Sequence, residues 1–286
     1  MKEIVILSGK GGTGKTTITA SFCAYLKNKV IGDCDVDAPD LHLLLSPEIK
    51  EKKDFFGGAE VKIKQDECIK CGTCLRLCRF GAIQFIKNEK FVIDDFLCEG
   101  CGLCYHACPV NAIEMKEKKA GELYISETKY GNFIHAQLFP GEENSGKLAA
   151  EVKEKAREIA VKEKIPFIII DGPPGIGCPV ISTLSGANIS VIVSEPTVSG
   201  ISDFERIVEL AEFFKVKIKV IINKYDINLK KTEEIEKFCF EKKIEVIGKI
   251  PFLPEVVEAL KESKIVLEFS RKISSLLEEI FEKIVE

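Results

Sequence analysis

Residues 3–22, EIVILSGKGGTGKTTITASF, join a short apolar run to a glycine-rich loop and then to an amphipathic segment. The loop matches the pattern G-x4-G-K-[ST], and its place between a predicted strand and a predicted helix makes the match specific. Backbone N–H groups of such a loop and of the following helix N-terminus can surround phosphates. Lys15 can neutralise the β- and γ-phosphates, and Thr16 can bind Mg²⁺. The segment therefore predicts an α/β fold that binds a nucleotide.

Further apolar runs predict the sheet to which this segment belongs. They are FIIID (167–171), ISVIVS (189–194), IKVIIN (218–223) and IEVIGKI (244–250). Runs without a polar face indicate strands buried on both sides, and the amphipathic segments 203–214 and 268–284 indicate helices between and after them. The pattern predicts a doubly wound, mainly parallel sheet. Its ligands should lie at the carboxyl ends of strands, near GDCDVDAPD (32–40) and DGPPGIGC (171–178).

Eight of the twelve cysteines form an internal repeat. CIKCGTCLRLC (68–78) and CEGCGLCYHACP (98–109) share the spacing C-x2-C-x2-C-x3-C. Soft thiolates at this spacing suit two [4Fe-4S] clusters, with the fourth cysteine of each run directed to the other cluster. One predicted cluster has the ligands Cys68, Cys71, Cys74 and Cys108, and the other has Cys98, Cys101, Cys104 and Cys78. Zinc and disulfides are the alternatives, but zinc sites more often use two separate C-x-x-C pairs.

Composition narrows the function classes. The formal net charge is −4, so no basic excess points to nucleic acid. The first residues do not have the pattern of a signal peptide, and no run of 18 apolar residues occurs. We expect a cytoplasmic protein without stable membrane association, where a reducing environment favours metal-binding or catalytic roles for cysteines.

The cysteine segment resembles a bacterial two-cluster ferredoxin over residues 60–117, with Arg79 where that family usually has proline. The flanking chain resembles the MinD, ParA and Mrp group of ATPases. This resemblance rests on KGGTGKTT with Lys10, DCDVDAPDLHLLL, DGPPGIGCP, EPTVSGISDFERI, INKYD and IPFLPEVVEAL. The whole chain is similar to members of this group that carry an inserted ferredoxin domain. We therefore expect an ATPase domain over 1–57 and 118–286 and a ferredoxin domain over 58–117.

The resemblance implies a homodimer that encloses ATP, in which Lys10 reaches the nucleotide of the partner. It also implies hydrolysis that waits for dimerisation, because a second cation stabilises charge on the transferring phosphoryl group. We expect Asp35 to orient the attacking water, and Asp33 and Asp171 to support Mg²⁺ together with Thr16. The expected nucleotide-binding residues are Gly9, Lys10, Gly11, Gly12, Thr13, Gly14, Lys15, Thr16, Thr17, Asn223, Lys224 and Pro251.

NKYD (223–226) leaves the base open, because Asn-Lys-x-Asp at a strand end is also how GTPases recognise guanine. The phosphate loop with Lys10 favours ATP, since the asparagine contacts adenine in the resembling family. Cys178 follows Asp171 at a distance similar to that of a cluster-binding cysteine in the nitrogenase iron protein, and it is a candidate ligand of a labile cluster between subunits. Cys34 is a weaker candidate for a second ligand, and a space-filling role is the alternative for both residues.

Three functions are compatible with these features. The favoured one is a nucleotide-dependent carrier or assembly factor for iron–sulfur clusters or metalloclusters, with an iron–sulfur acceptor protein as partner. The second is an ATP-gated donor of low-potential electrons to a redox partner, which requires no labile cluster. The third is a MinD-like positioning ATPase, and the excess of acidic residues in the C-terminal segment FSRKISSLLEEIFEKIVE argues against it.

Overall fold

A computed structural model of the chain describes residues 1–86, 90–269 and 271–286. Its strands are β1 (Lys2–Ser8), β2 (Lys29–Asp33), β3 (Glu48–Ile63), β4 (Ile83–Ile86), β5 (Lys90–Ile93), β6 (Ile113–Thr128), β7 (Gly131–Leu138), β8 (Phe167–Pro174), β9 (Ile189–Ser194), β10 (Lys217–Asn223) and β11 (Glu245–Ile250). Its helices are α1 (Lys15–Tyr25), α2 (Leu41–Leu45), α3 (Thr73–Leu77), α4 (Leu103–His106), α5 (Ser145–Lys162), α6 (Cys178–Leu184), α7 (Val198–Phe213), α8 (Leu229–Lys242), α9 (Pro254–Lys261), α10 (Val266–Phe269) and α11 (Arg271–Val285).

The main sheet has nine strands in the order β11-β10-β9-β1-β8-β2-β7-β6-β3. The pairs from β11 to β7 are parallel, and β1 lies between β8 and β9. The residues of β9 are buried throughout, as expected for a strand covered by helices on both faces. The predicted doubly wound, mainly parallel sheet is confirmed.

Several boundaries differ from the sequence prediction for local reasons. Helix α7 begins at Val198 instead of residue 203, because the Thr197 hydroxyl accepts the Gly200 N–H at 3.1 Å and caps an earlier start. The helix predicted over 268–284 corresponds to the end of α10 and to α11, and its residue 270 lies outside the described residues.

Helix α11 covers one side of the core. Its apolar face, which includes Leu277, Phe281 and Ile284, is at most 3% exposed. The Phe281 ring lies 5.1 Å from that of Phe22 on α1, measured between centroids. The amphipathic pattern of the C-terminal segment is therefore explained by packing against the core, including α1.

The chain divides into two compact units. The larger comprises residues 1–53, 122–137 and 145–286, and the smaller comprises 54–121 and 138–144. The predicted insertion, residues 58–117, falls within the smaller unit, although residues 87–89 lie outside the described part of the chain. The smaller unit contains α3, α4 and the antiparallel pair β4–β5. No helix in the described ranges is long and apolar enough to span a membrane.

Candidate functional site

The glycine-rich loop leaves the carboxyl end of β1 and enters α1 at Lys15. Gly12 and Gly14 have φ angles of 81° and 90°, a left-handed conformation that favours glycine. A Cβ atom at Gly14 would lie 2.4 Å from the Nδ2 atom of Asn223. That Nδ2 atom donates to the Thr13 carbonyl at 2.7 Å, so the loop is fastened to the end of β10.

Asp171 organises the bottom of the loop. Its Oδ2 atom lies 2.9 Å from the Nζ atom of Lys15 and accepts the Thr16 hydroxyl at 2.9 Å. Its Oδ1 atom accepts the Thr19 hydroxyl at 2.7 Å. The Lys15 and Asp171 side chains are only 6% and 1% exposed, so this is a buried ion pair with additional hydrogen bonds. Phosphates and Mg²⁺ would compete for the same groups.

Asp33 and Asp35 complete an acidic cluster around Lys15. Strands β2 and β8 bring Asp33 into register with Asp171, and the Asp35 carboxylate lies 3.8 Å from the Lys15 ammonium. Asp33 accepts the backbone N–H groups of Asp35 at 3.1 Å and Leu41 at 3.3 Å. The structure thus brings together the predicted magnesium residues and the residue predicted to orient water.

Burial and like charges alter the acidity of this cluster. Burial raises the pKa of Asp35 to about 6; Lys15 opposes this rise, whereas Asp171 adds to it. Burial and the charge of Asp171 raise the pKa of Asp33 well above its usual range. Burial tends to lower the pKa of Lys15, but the carboxylates of Asp171, Asp35 and Asp33 outweigh it, and the pKa is raised. Lys15 is therefore charged, as phosphate binding requires.

A second ion-pair network lies at the end of β9. The Glu195 carboxylate contacts Lys10 Nζ at 2.5 Å through Oε1 and Lys224 Nζ at 3.1 Å through Oε2. Lys10 also donates to the Thr197 hydroxyl at 2.9 Å, and Lys224 donates to the Gly12 carbonyl at 3.0 Å. Burial alone would raise the pKa of Glu195, but hydrogen bonds from Lys10 and Lys224 lower it, so the carboxylate is ionised near neutral pH. Within one chain, Lys10 is held by Glu195.

A cavity of about 220 Å³ adjoins the phosphate loop. Its lining includes Thr17, Asn223, Lys224 and Pro251, which were predicted to contact nucleotide, together with apolar residues of α9 and α11. The cavity has the apolar walls and few polar groups that suit a planar base. Asp226, the last residue of NKYD, accepts the Phe252 N–H through Oδ1 at 2.7 Å. It thereby positions the segment that lines the cavity.

Sequence reasoning did not assign roles to Glu195 and Thr19. Thr19 lies one helical turn after Lys15, on the same face of α1, so its contact with Asp171 could have been expected from this spacing. Glu195 directly follows the buried strand β9, at the sheet edge where ligands of such folds bind. The position of this carboxylate directly after a buried strand could have indicated that Glu195 belongs to the site.

The eight repeat cysteines line two cavities in the smaller unit. Cys78, Cys98, Cys101 and Cys104 line a cavity of about 250 Å³. Cys68, Cys71, Cys74 and Cys108 line another of about 20 Å³. Each set is one of the two quartets expected from the crossed spacing. All twelve cysteines are free thiols.

The thiols surround these spaces without converging on a point. Among residues 1–86, 90–269 and 271–286, no three His, Cys, Asp or Glu side chains form a site for a single metal ion. The loops of both runs have related backbones, with left-handed φ angles of 56° and 59° at Lys70 and Gly100, and of 71° and 74° at Gly72 and Gly102. The thiols of both quartets are soft metal ligands, and the larger cavity has room for a group of several atoms.

The remaining cysteines differ in access. Cys178 is exposed and is the first residue of α6, after the loop that follows Asp171. Cys34 is fully buried, and its thiol donates to the Ala149 carbonyl at 3.4 Å. Cys23 in α1 and Cys239 in α8 are buried. Of these four residues, only Cys178 is exposed.

Known proteins are similar to this chain in sequence or in fold. The chain is 34% identical over 288 residues to the uncharacterised protein MJ0578 of Methanocaldococcus jannaschii, covering 99% of this chain and 96% of the relative. A stretch of 72 residues is 43% identical to pyruvate synthase subunit PorD of the same organism, covering 25% of this chain and 84% of PorD. The structure of the septum site-determining protein MinD with Mg-ADP from Pyrococcus horikoshii OT3 has the same fold, with a TM-score of 0.59, 16% identity, and coverage of 99% of this chain and 95% of MinD.

A family match covers most of the chain. Residues 4–266 match the CobQ/CobB/MinD/ParA nucleotide binding domain. This range contains the phosphate loop, Asp33, Asp171 and Asn223, which the fold brings to one edge of the sheet. The chain is a nucleotide-binding protein that belongs to the CobQ/CobB/MinD/ParA family.

Proposed function

We propose that this protein is an ATP-hydrolysing iron–sulfur protein with two [4Fe-4S] clusters per chain, acting as a homodimeric, nucleotide-dependent carrier or assembly factor for clusters. The observation that carries the proposal is the lining of two separate cavities by the two cysteine quartets. A phosphate-binding loop and cluster-binding thiols in one chain point to a function that uses both.

The ATPase roles follow from the contacts around Asp171. Thr16, Asp33 and Asp171 would hold Mg²⁺, which would neutralise the charge that develops on the transferring phosphoryl group. Lys15 would bind the β- and γ-phosphates after leaving Asp171, 2.9 Å away. Asp35 would orient the attacking water, because its pKa of about 6 suits a proton acceptor near neutral pH. Lys10, once released from Glu195, would serve the nucleotide of the partner.

The apolar cavity beside Asn223 and Pro251 favours adenine. Asp226, which would have to accept the N–H groups of guanine, already accepts the Phe252 N–H. Comparing kcat/KM for ATP and GTP tests this assignment, and a preference for GTP would contradict it. Asp226→Ala should weaken ATP binding modestly by loosening the Phe252 segment without creating a preference for GTP.

The two quartets would hold clusters whose chemistry is one-electron transfer or storage for delivery. The larger cavity supports this assignment by its volume, whereas the smaller one, at about 20 Å³, would have to widen. Cys78→Ser and Cys108→Ser should each lower iron by about four atoms per chain, because each removes the crossed ligand of one cluster. Cys239→Ala, at a buried thiol outside both quartets, is the control.

The carrier role rests on Cys178. Its thiol is exposed in the loop region that follows Asp171, and a symmetric dimer would supply two copies. A labile cluster bound there would respond to nucleotide, because the same segment contacts Lys15 and Thr16.

Electron donation to a redox enzyme is the second candidate. The similarity to pyruvate synthase subunit PorD favours it, because that relative is a subunit of an enzyme to which electrons could be delivered. A MinD-like positioning role is disfavoured, because the apolar face of α11 is buried in the core instead of being available to lipid.

The deciding measurement is iron and acid-labile sulfide per dimer in anaerobically reconstituted protein, desalted with and without ATP. Two clusters per chain predict ~16 iron atoms per dimer, and a bridging cluster raises this to ~20. If Cys178→Ser loses the additional four atoms while Cys239→Ala keeps them, the carrier role is supported. If the wild type and Cys178→Ser both contain about 16 iron atoms per dimer, the result supports an ATP-gated electron donor. Iron far below 16 in the wild type would overturn the iron–sulfur assignment itself.

A further inference from the structure

The two ends of the cysteine repeat differ in surface chemistry. Around the larger cavity, Leu77, Phe80 and Leu103 are 36%, 48% and 45% exposed and line its wall. Phe96 and Leu97, which precede Cys98, are 99% and 46% exposed. We call these five residues the apolar rim. The rim lies at the end of the smaller unit where the Cys98 quartet lines the larger cavity.

The internal repeat allows each residue of the apolar rim to be compared with its counterpart at the other end. With a spacing of 30 residues, the counterparts of Leu77, Phe80, Phe96, Leu97 and Leu103 are Ala107, Val110, Asp66, Glu67 and Thr73. Each counterpart is smaller or polar. Two positions show the opposite difference, because Ile69 corresponds to the charged Glu99, and Pro109 corresponds to the charged Arg79. The backbone loops of the two runs are alike, so their shared fold does not require the rim.

The turn before Cys98 holds Phe96 outward. The Phe96 N–H donates to the Asp94 side chain at 2.9 Å, and the Leu97 N–H donates to the Asp94 carbonyl at 3.2 Å. An aromatic side chain that is 99% exposed gains nothing from the core of its own unit. Aromatic residues in exposed apolar patches are typical anchors of protein interfaces.

Charge indicates what the rim binds. Asp95 and Glu99, which flank Phe96, Leu97 and Cys98 in the chain, are exposed, and among the described residues Arg79 is the one cation in the lining of the larger cavity. An apolar patch with acidic neighbours complements an apolar patch with a basic border, and such charges steer association. Cys101, in the same quartet, is exposed, so a protein seated on the rim would approach the group held there.

We propose that the apolar rim is the docking surface for a redox partner protein whose contact face is apolar at its centre and basic at its border. This inference rests on the proposed function, because it takes the Cys98 quartet to hold a cluster. It also assigns the two ends of the repeat different roles, with docking at the Cys98 end.

The test measures binding without turnover. Oxidised, cluster-loaded protein is titrated by calorimetry, at low ionic strength, with ferric cytochrome c, a basic redox protein with an exposed haem edge. The double variant Phe96→Ser/Leu97→Ser should bind it about tenfold more weakly, as expected when an interface anchor is removed. Ile69→Ser, at a 61% exposed residue of the opposite end, should bind as the wild type does. Lysozyme, basic but without a redox group, should not discriminate between the variants.

The outcomes separate this inference from the proposed function. Iron and sulfide are measured on every sample, and a wild type without clusters overturns the proposed function. With clusters present, equal binding by the wild type and the double variant overturns the docking surface. Equal weakening by Ile69→Ser, or no binding of cytochrome c to the wild type, overturns it as well.

Discussion

Among single residues, Asp35 is one whose burial predicts a measurable pH dependence of ATP hydrolysis. Its pKa is raised to about 6 from an ordinary value of 3.8, so the carboxyl is protonated below that pH and cannot accept a proton. We expect kcat/KM for ATP hydrolysis to rise by about tenfold per pH unit up to about pH 6 and then level off, because this ratio reports the free protein. A pH-rate profile measures it.

Two variants of the same loop check this assignment. Asp35→Asn should lower hydrolysis by about 10²–10⁴-fold with little loss of nucleotide binding. Asp37 is exposed, and its charge contributes to the raised pKa of Asp35. Asp37→Asn should therefore keep activity and move the midpoint of the profile to lower pH. A profile without a transition between pH 5 and 7 would assign the water-orienting role elsewhere.

The ion pairs of Glu195 lead to a second prediction, which concerns nucleotide affinity. Its carboxylate holds Lys10 and Lys224, and phosphates must compete for the same ammonium groups. We expect Glu195→Gln to bind a slowly hydrolysed ATP analogue about tenfold more tightly, because the substitution removes roughly one hydrogen bond to a charged group, worth about 1.5 kcal/mol. Calorimetric titration measures the dissociation constant.

The matched control is Glu212→Gln, which removes an exposed ion pair with Lys242 at 2.8 Å on α7 and α8. It should leave affinity unchanged. Weaker binding in Glu195→Gln would mean that Glu195 supports the loop geometry more than it competes with phosphate.

At the scale of elements, the phosphate loop depends on its attachment to β10. Gly14 has a φ of 90°, and a Cβ there would lie 2.4 Å from the amide of Asn223. We expect Gly14→Ala to lower the free energy of unfolding by about 1–3 kcal/mol, because both the backbone conformation and the contact are strained. Urea denaturation measures it.

Gly11 is the control within the same loop. A Cβ at Gly11 would meet no atom within 4 Å. Gly11→Ala should therefore unfold at the wild-type urea concentration. Equal loss of stability in the two variants would show that the loop tolerates neither side chain for a reason other than Asn223.

Elements were predictable where a local pattern decides them. The four apolar runs predicted as strands are β8 to β11 within a few residues. The start of α7 was placed too late, because periodicity registers the apolar face and not the Thr197 cap that precedes it.

At the scale of the whole molecule, two units should respond to different ligands. Structural metal centres stabilise the segment that holds them, and nucleotide stabilises the unit that binds it. We expect removal of iron to lower one heat-unfolding transition, that of the smaller unit. ATP at a hundred times its Kd should raise the other by about 2.7 kcal/mol in free energy.

Differential scanning calorimetry of loaded and iron-depleted protein, each with and without ATP, makes this comparison. The cluster-ligand variant Cys98→Ser should reproduce the effect of depletion on the first transition and leave the ATP shift intact. If each ligand moves both transitions equally, the two units unfold as one cooperative body.

Local features of this protein were predictable from its sequence. A strand, a glycine-rich loop and a helix in 20 residues predicted the phosphate site, and two cysteine runs of equal spacing predicted the quartets that line separate cavities. Other features became visible in the folded chain. Glu195 forms ion pairs with Lys10 and Lys224, and Asp33 lies in register with Asp171. Cys34 is buried, whereas Cys178 is exposed. The physical reason is that periodicity and spacing act over a few residues, whereas these contacts depend on which strands become neighbours and which surfaces the helices then cover.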